Sequence, residues 1–381
     1  MMETFQIATV RPPTENFSLS INTHSFCPWG KCAFCLSSSI SSGNRFKRRK
    51  IDEIIKDINN AALLNDSILN SGYIDQNLIL DVISKFPSLS QCVYHLIYWH
   101  LYTNASTAFL GGANPLLYNS DFLTTILTYL KEKFPSINRI TSYGRTRTAA
   151  KKDQIFFKEL FEAGLDRIHV GLESGSDNVL EFMNKGATSK EHIIGGKNIK
   201  NGGISLCTYV MPGLGGKKWS TENALETARV LNEIEPDFVR LRTLEIFPKT
   251  ILHEKQKSGV FKELSEEDVV KEERTLIKNI EYNTTITSDS AANLLVEIWG
   301  TLPQDKKKIL RSIDNYLNLD PKEKIEFSLK RRVEAFNSQY GGLTSDIKNK
   351  LNILSEISEK NDLYYKRAED LIKHIRSRLI P

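Results

Sequence analysis

His24-Ser25-Phe26-Cys27-Pro28-Trp29-Gly30-Lys31-Cys32-Ala33-Phe34-Cys35 places three of the chain's five cysteines within nine residues. Three thiolates so close do not make an ordinary disulfide pattern, because one sulfur is always left over. They can hold an inorganic centre from one side, and iron–sulfur clusters take cysteine thiolates as ligands. A four-iron centre with three protein ligands keeps one iron open for chemistry. Zinc is the alternative: C-x2-C is half of many zinc sites, and His24 would complete a four-ligand set with the three cysteines.

Outward from this loop the chain is rhythmic. Ser18–Asn22, just ahead of the cysteines, reads as a strand, and further strands are expected at Ala108–Leu110, Arg139–Tyr143, Arg167–Gly171, Ile204–Met211 and Phe238–Thr243. Between them, helical spacing covers Asp121–Lys133, Lys152–Ala163, a segment from Asp177, one opened by the capping box Thr188-Ser189-Lys190-Glu191, and Thr221–Ile234 with Leu225, Ala228 and Leu231 on one face. Strands alternating with helices imply parallel pairing through right-handed crossovers. The cysteines, Gly111-Gly112, Arg145, Glu173 and Gly213 all follow the carboxyl ends of strands, where barrel sites gather. Six such units suit an open doubly wound sheet or an incomplete eight-fold barrel, and the placement of these residues favours α/β of the second kind, a partial (β/α)6 TIM-like barrel over residues 1–260. Residues 64–103 read as a helical insertion (Asp75–Phe86, then Leu89–Leu101), and 261–381 as a helical C-terminal region. Its last two helices, about Ser345–Glu359 and Asp362–Leu379, read as a loosely attached hairpin. The insertion and the C-terminal region are the candidate covers of the barrel mouth.

Composition narrows the class. With 40% apolar and 25% charged residues, the chain matches an ordinary globular protein with a real core. No apolar stretch reaches membrane-spanning length, and the N-terminus lacks a basic-then-apolar signal. An odd number of cysteines, three of them clustered, points to a reducing compartment, and the cytoplasm is expected. The net charge is +5, of which residues 321–381 carry +4, from 13 Lys/Arg against 9 Asp/Glu. The body is nearly neutral, with no basic funnel for a polyanion. The basic tail, and the run Arg45-Phe46-Lys47-Arg48-Arg49-Lys50, read first as solvated surface and second as contacts for nucleic acid or an acidic partner.

Taken together, these motifs resemble the radical S-adenosylmethionine (radical SAM) superfamily over about residues 7–260. The resemblance implies that Cys27, Cys32 and Cys35 hold a [4Fe–4S] cluster after the first strand, with Phe34 at the motif's aromatic position. Gly111-Gly112-Ala113-Asn114-Pro115 resembles the Gly-Gly-Glu-Pro motif that binds the methionine amino group of SAM through backbone atoms. Glu173, within His169-Val170-Gly171-Leu172-Glu173-Ser174-Gly175, is similar to the residue that hydrogen-bonds the SAM ribose. Lys185 falls where related enzymes place a cation for the SAM carboxylate, and Met211-Pro212-Gly213-Leu214-Gly215-Gly216 resembles the segment beside the adenine. Three departures stand out. The cysteine spacing is C-x4-C-x2-C instead of C-x3-C-x2-C. Asn114 stands near where the Gly-Gly motif has its acid. Leu36 and Ser37 follow Cys35 where coproporphyrinogen oxidases carry a further cysteine, which argues against porphyrin decarboxylation.

The resemblance implies reductive cleavage of SAM to a 5′-deoxyadenosyl radical that abstracts hydrogen from a substrate, with a one-electron donor such as flavodoxin or ferredoxin. A tRNA- or protein-modifying member is the second reading, and a non-catalytic iron–sulfur or zinc-binding module the third. Around this centre, Arg145 and Arg147 are candidates for an anionic substrate group or for ion pairs. Arg240 and Arg242 share one strand face and need anionic partners if that face is interior. Ser288-Asp289-Ser290 with Asn293 is polar enough to border a site. Cys92, Cys207 and His169 read as core residues, and Trp99, Tyr98 and Tyr102 as aromatics that pack against the main body or line a pocket.

Overall fold

The computed structural model describes residues 3–8, 10–36, 45–70, 80, 83–84, 87–357 and 361–379. Among these the strands are β1 (Leu19–Asn22), β2 (His24–Ser25), β3 (Lys47–Arg48), β4 (Thr107–Gly111), β5 (Arg139–Gly144), β6 (Leu165–Glu173), β7 (Ser205–Val210), β8 (Phe238–Leu241), β9 (Thr284–Thr287) and β10 (Trp299–Leu302). Eight of them form one sheet in the order β1-β4-β5-β6-β7-β8-β9-β10, while β2 and β3 pair separately. The class is α/β, and the first six strands of that order are the six expected for a partial barrel. The chain forms two compact units, residues 1–30, 40–171 and 190–207 in one and 31–39, 172–189 and 208–381 in the other. This division differs from a boundary at 260.

In the first unit, β1, β4, β5 and β6 pair in parallel, with Leu19 opposite Ala108, Phe109 opposite Thr141 and Tyr143 opposite His169. Leu19, Ile21, Ala108, Phe109, Ile140, Ile168 and Val170 are all wholly buried, as expected of a parallel sheet covered on both faces. The helix Ile51–Asn70 supplies one cover through Ile54, Ile58, Ala61, Leu64 and Ile68, which recur at helical spacing and are buried. It runs unbroken through residue 64. The expected helix Asp75–Phe86 lies mostly outside the described residues. The helix Ser90–Thr103 does form, burying Cys92, Val93, Leu96, Ile97 and Trp99. Trp99 donates its Nε1–H to the Thr107 carbonyl at 2.7 Å, and His95 Nε2 accepts from the Ser20 amide at 3.0 Å. This helix therefore belongs to the layer over β1, and Trp99 is core. Asn119 and Asp153 cap the helices Ser120–Lys133 and Gln154–Glu162, each accepting from the amide three residues on.

In the second unit β8 pairs in parallel with β9, and β10 returns antiparallel to it. These two strands correct the expectation that everything past 260 is helical. The helix Gly216–Ile234 buries Ala224, Ala228, Leu231 and Ile234, whereas Leu225 is exposed and leaves the expected face. The C-terminal helices Pro321–Tyr340, Ser345–Ser355 and Asp362–Arg376 share a core of Leu329, Phe336, Ile347, Leu354, Leu371 and Ile375. The last pair is thus no loose hairpin. Arg376 donates to Glu245 at 2.8 Å, Glu263 at 2.6 Å and the Leu244 carbonyl at 3.2 Å. Arg332, wholly buried, forks onto Glu266 and donates to the carbonyls of Ala291, Ala292 and Asn293. Among the described residues no helix is long and apolar enough to cross a membrane.

Candidate functional site

The cysteine loop begins in the first unit, where β1 ends beside β4. Thr23 donates both its amide (3.1 Å) and its hydroxyl (2.8 Å) to the Gly111 carbonyl. With its proton committed there, the Thr23 hydroxyl accepts from His24 Nδ1 at 2.8 Å, and His24 Nε2 accepts from the Asn114 amide at 3.2 Å. That pairing fixes the neutral Nδ1–H tautomer. Burial and, second, the Arg48 charge push the His24 pKa down to about 4, in agreement with a neutral ring. Gly112 adopts φ +109°, and a Cβ there would lie 2.5 Å from the His24 ring, so only glycine lets the two loops meet. Asn114 accepts from the Arg145 amide at 2.9 Å and donates to Thr148 at 2.8 Å, which ties the Gly-Gly loop to the turn after β5. Arg145 and Arg147 lie over the Trp29 ring of the cysteine loop at 5.3 and 6.0 Å, and Arg147 also pairs with Glu191 at 3.3 Å.

The loop's second half belongs to the other unit. Ala33 is buried among Val179, Met183, Leu214, Leu244, Leu252 and Phe261, with Phe34 and Met211 packed against the same cluster. Its amide donates to the Met183 carbonyl at 2.8 Å, and its own carbonyl accepts from the Leu252 amide at 2.9 Å. Cys32 Sγ points to the carbonyl of Lys185 at 3.9 Å. The Lys185 ammonium in turn donates to Glu173 Oε1 at 3.0 Å, with both side chains about nine-tenths buried. Glu173 ends β6 at φ +66°, and its carbonyl accepts from the Met211 amide at 2.9 Å. Cys32, Lys185, Glu173 and Met211 therefore form one connected set.

Gly213, at φ +87°, donates its amide to Glu272 at 2.8 Å. Glu272 also accepts from Ser220 (2.6 Å) and Asn223 (2.8 Å), so the Met211–Gly216 turn hangs on a buried carboxylate. Burial pushes Glu272 up to about 7; burial and, second, the Glu272 charge push its neighbour Glu273 up to about 8. Sequence reasoning missed Glu272. Its signal was a carboxylate among the core-facing positions Val269, Val270, Leu276 and Ile277 of the helix Glu266–Lys278.

The donor set favours a cluster over a single ion. Cys27, Cys32 and Cys35 are all partly exposed and none is in a disulfide. Three thiolates fall one short of the closed four-ligand set of a structural zinc site. His24 is removed from the zinc set, since both ring nitrogens are already paired. Cys92 and Cys207 are buried, as expected of core thiols, and His169 is buried with its ring 3.7 Å from Glu15.

Known proteins share parts of this chain. It is 29% identical over 160 residues to a tRNA-2-methylthio-N(6)-dimethylallyladenosine synthase of Sulfurihydrogenibium sp., covering 40% of this chain and 34% of that one. It is 24% identical over 113 residues to a tRNA uridine(34) acetyltransferase of Methanocaldococcus jannaschii, covering 29% and 21%. The chain thus spans about a third or less of the length of these relatives. Among solved structures, coproporphyrinogen III oxidase from Escherichia coli superimposes with a TM-score of 0.43 at 13% identity, over 93% of this chain and 89% of that one. The profile of the radical SAM superfamily matches residues 21–228, over half of the 381. The chain belongs to the radical SAM superfamily, enzymes whose cofactors are a [4Fe–4S] cluster and SAM.

Proposed function

We propose that this chain cleaves SAM with Cys27, Cys32 and Cys35 as the three cluster ligands, and uses the resulting radical on a substrate held in its second unit. When bound, the cluster and SAM supply a 5′-deoxyadenosyl radical that abstracts hydrogen; the protein's share is position and shielding. The Gly111 carbonyl is taken by Thr23, so the backbone of Gly112 and Ala113 is what remains to meet the methionine amino group. The Glu173 carboxylate accepts from the ribose hydroxyls. Lys185 holds that carboxylate in place and is the cation for the SAM carboxylate. Met211 and Gly213 border the adenine, and Phe34 walls the cysteine loop against the apolar cluster. The observation that carries this reading is the Lys185–Glu173 pair at 3.0 Å, whose lysine carbonyl also meets Cys32 Sγ.

Anaerobic reconstitution tests it. The expected protein binds about four iron and four sulfide per chain, yields 5′-deoxyadenosine under reduction, and loses both on replacement of Cys27, Cys32 or Cys35 by alanine. Stoichiometric zinc without iron, or iron without 5′-deoxyadenosine, refutes it. A tRNA substrate is the second reading, favoured by the similarity to two tRNA-modifying enzymes. The basic tail supports it weakly, because Lys324, Arg331, Arg332, Arg376 and Arg378 all pair with carboxylates. Stimulation of 5′-deoxyadenosine formation by tRNA, abolished by ribonuclease, is its expected signature.

A further inference from the structure

Arg240 lies on β8 opposite Thr287 of β9, and Arg242 follows two residues later on the same side. The chain leaving β9 turns Asp289 back onto both: Oδ2 accepts from Arg240 at 2.5 Å and Oδ1 from Arg242 at 2.7 Å. The Arg242 guanidinium also lies over the Tyr209 ring at 5.2 Å. Two guanidiniums share one carboxylate, which leaves a formal surplus of one positive charge where Arg240 is only 9% exposed. Arg242 Nη2 is shut off from solvent and finds no acceptor among the described residues, and the Thr287 hydroxyl beside Arg240 finds no partner either. A buried N–H without an acceptor is costly, and a bound acceptor group would satisfy it.

The location links this cluster to the cofactor side. The Arg242 amide donates to the Val210 carbonyl at 2.8 Å, and the Leu244 amide to the Pro212 carbonyl at 2.9 Å. The arginine segment therefore runs alongside Met211–Gly213. We propose that Arg240, Arg242 and Thr287 form an oxyanion subsite that holds a carboxylate or phosphate group of the substrate beside the SAM-binding turn; this rests on the reading of Met211–Gly213 given above. A guanidinium presents a planar fork of N–H donors that matches such groups. Asp289 is the built-in counter-ion: it fixes both forks and keeps the empty site from carrying two unpaired charges.

The test is calorimetric titration of the reconstituted holoenzyme with sodium phosphate and with sodium acetate at constant ionic strength, with sodium chloride as reference. One of the two anions is expected to saturate a single site, phosphate for a phosphorylated substrate and acetate for a carboxylate. R242Q should weaken that binding by about tenfold or more, the loss of one charge-assisted contact. D289N should tighten it, because the surplus rises from one charge to two. A gain in one variant beside a loss in the other is not a result that misfolding produces. Absence of saturable binding by either anion, or equal affinities in wild type and R242Q, overturns the subsite. Assay of 5′-deoxyadenosine on the same preparations separates the two levels: product without anion binding sinks only the subsite, whereas absence of product sinks the SAM reading beneath it.

Discussion

Replacement of Lys185 by methionine probes the centre of the proposed SAM site. It keeps the side chain's length and removes its charge, leaving the Glu173 carboxylate about nine-tenths buried and unpaired by its ammonium. At 3.0 Å and an effective dielectric of about 20, the gross attraction lost is roughly 5 kcal/mol. Relaxation and water entry reduce this, and breaking one side of a buried pair ordinarily costs about 3–5 kcal/mol. We therefore expect K185M to lose about 3 kcal/mol in anaerobic urea denaturation. The double variant E173Q/K185M, with no stranded charge, should lose less than the two single losses added together. A coupling of at least about 1.5 kcal/mol is expected for a contact this short. The double variant should fold, yet bind SAM at least about tenfold more weakly, since the amide is a poorer acceptor than a carboxylate for ribose hydroxyls. Additive single losses would refute the pair as an energetic unit. Unchanged SAM affinity in the folded double variant would refute Glu173 as the ribose partner.

Three further outcomes follow from the geometry. G112A must hold a side chain at φ +109° with its Cβ 2.5 Å from the His24 ring, so a loss of about 3 kcal/mol is expected, read by denaturation, together with failure to bind SAM in calorimetry. Glu272 and Glu273 are raised by burial to about 7 and 8, so the folded state holds protons that the unfolded chain releases near 4.5. Their stabilising contribution is complete below that value and lost as pH rises through 7 and 8; the melting temperature should fall from pH 6 to 9, and E273Q should flatten the decline. Lys47 and Arg48 are exposed on β3, which pairs with the His24–Ser25 strand leading into the cysteines. K47E/R48E should slow reduction by an acidic one-electron donor protein and weaken its dependence on ionic strength, in stopped-flow measurement.

The six strands that carry the site were legible from their place in an alternation with turns and helical periods, since a run such as Arg139–Gly144 has itself only one aliphatic residue. β9 and β10 were not. Thr284-Thr285-Ile286-Thr287 has one aliphatic residue, and Trp299-Gly300-Thr301-Leu302 keeps Trp299 62% exposed. Their strand state comes from pairing on the edge of β8, which no local pattern announces. The site divides along the same line. The cysteines, glycines and Glu173 announce themselves by residue type and spacing, but their supports do not. His24 works through Asn114, 90 residues on, and Asp289 joins Arg240 across 49. Contacts of that span depend on where the strands lie in the sheet, and a single histidine or aspartate carries no sign of it. The tail misled for a different reason. Its mixed charge suggested a solvated hairpin, whereas Arg332 and Arg376 spend their charges inward, on Glu266, Glu245 and Glu263.

The unusual cysteine spacing acquires a physical meaning from the two grips on the loop. At its start, Thr23 and His24 bind Gly111 and Asn114, and the neutral ring is what lets His24 serve as donor and acceptor at once. At its end, Ala33 is held by two backbone hydrogen bonds and an apolar cluster, which fixes the Cys32-x2-Cys35 turn closed by the Cys35 amide on the Cys32 carbonyl. The additional residue lies between these grips, in Pro28–Lys31, where Lys31 is exposed and Gly30 turns at φ +56°. Each half of the loop is therefore held within its own unit, the additional residue belongs to neither grip, and the constraint on the cysteines resides in the residues that hold the two halves.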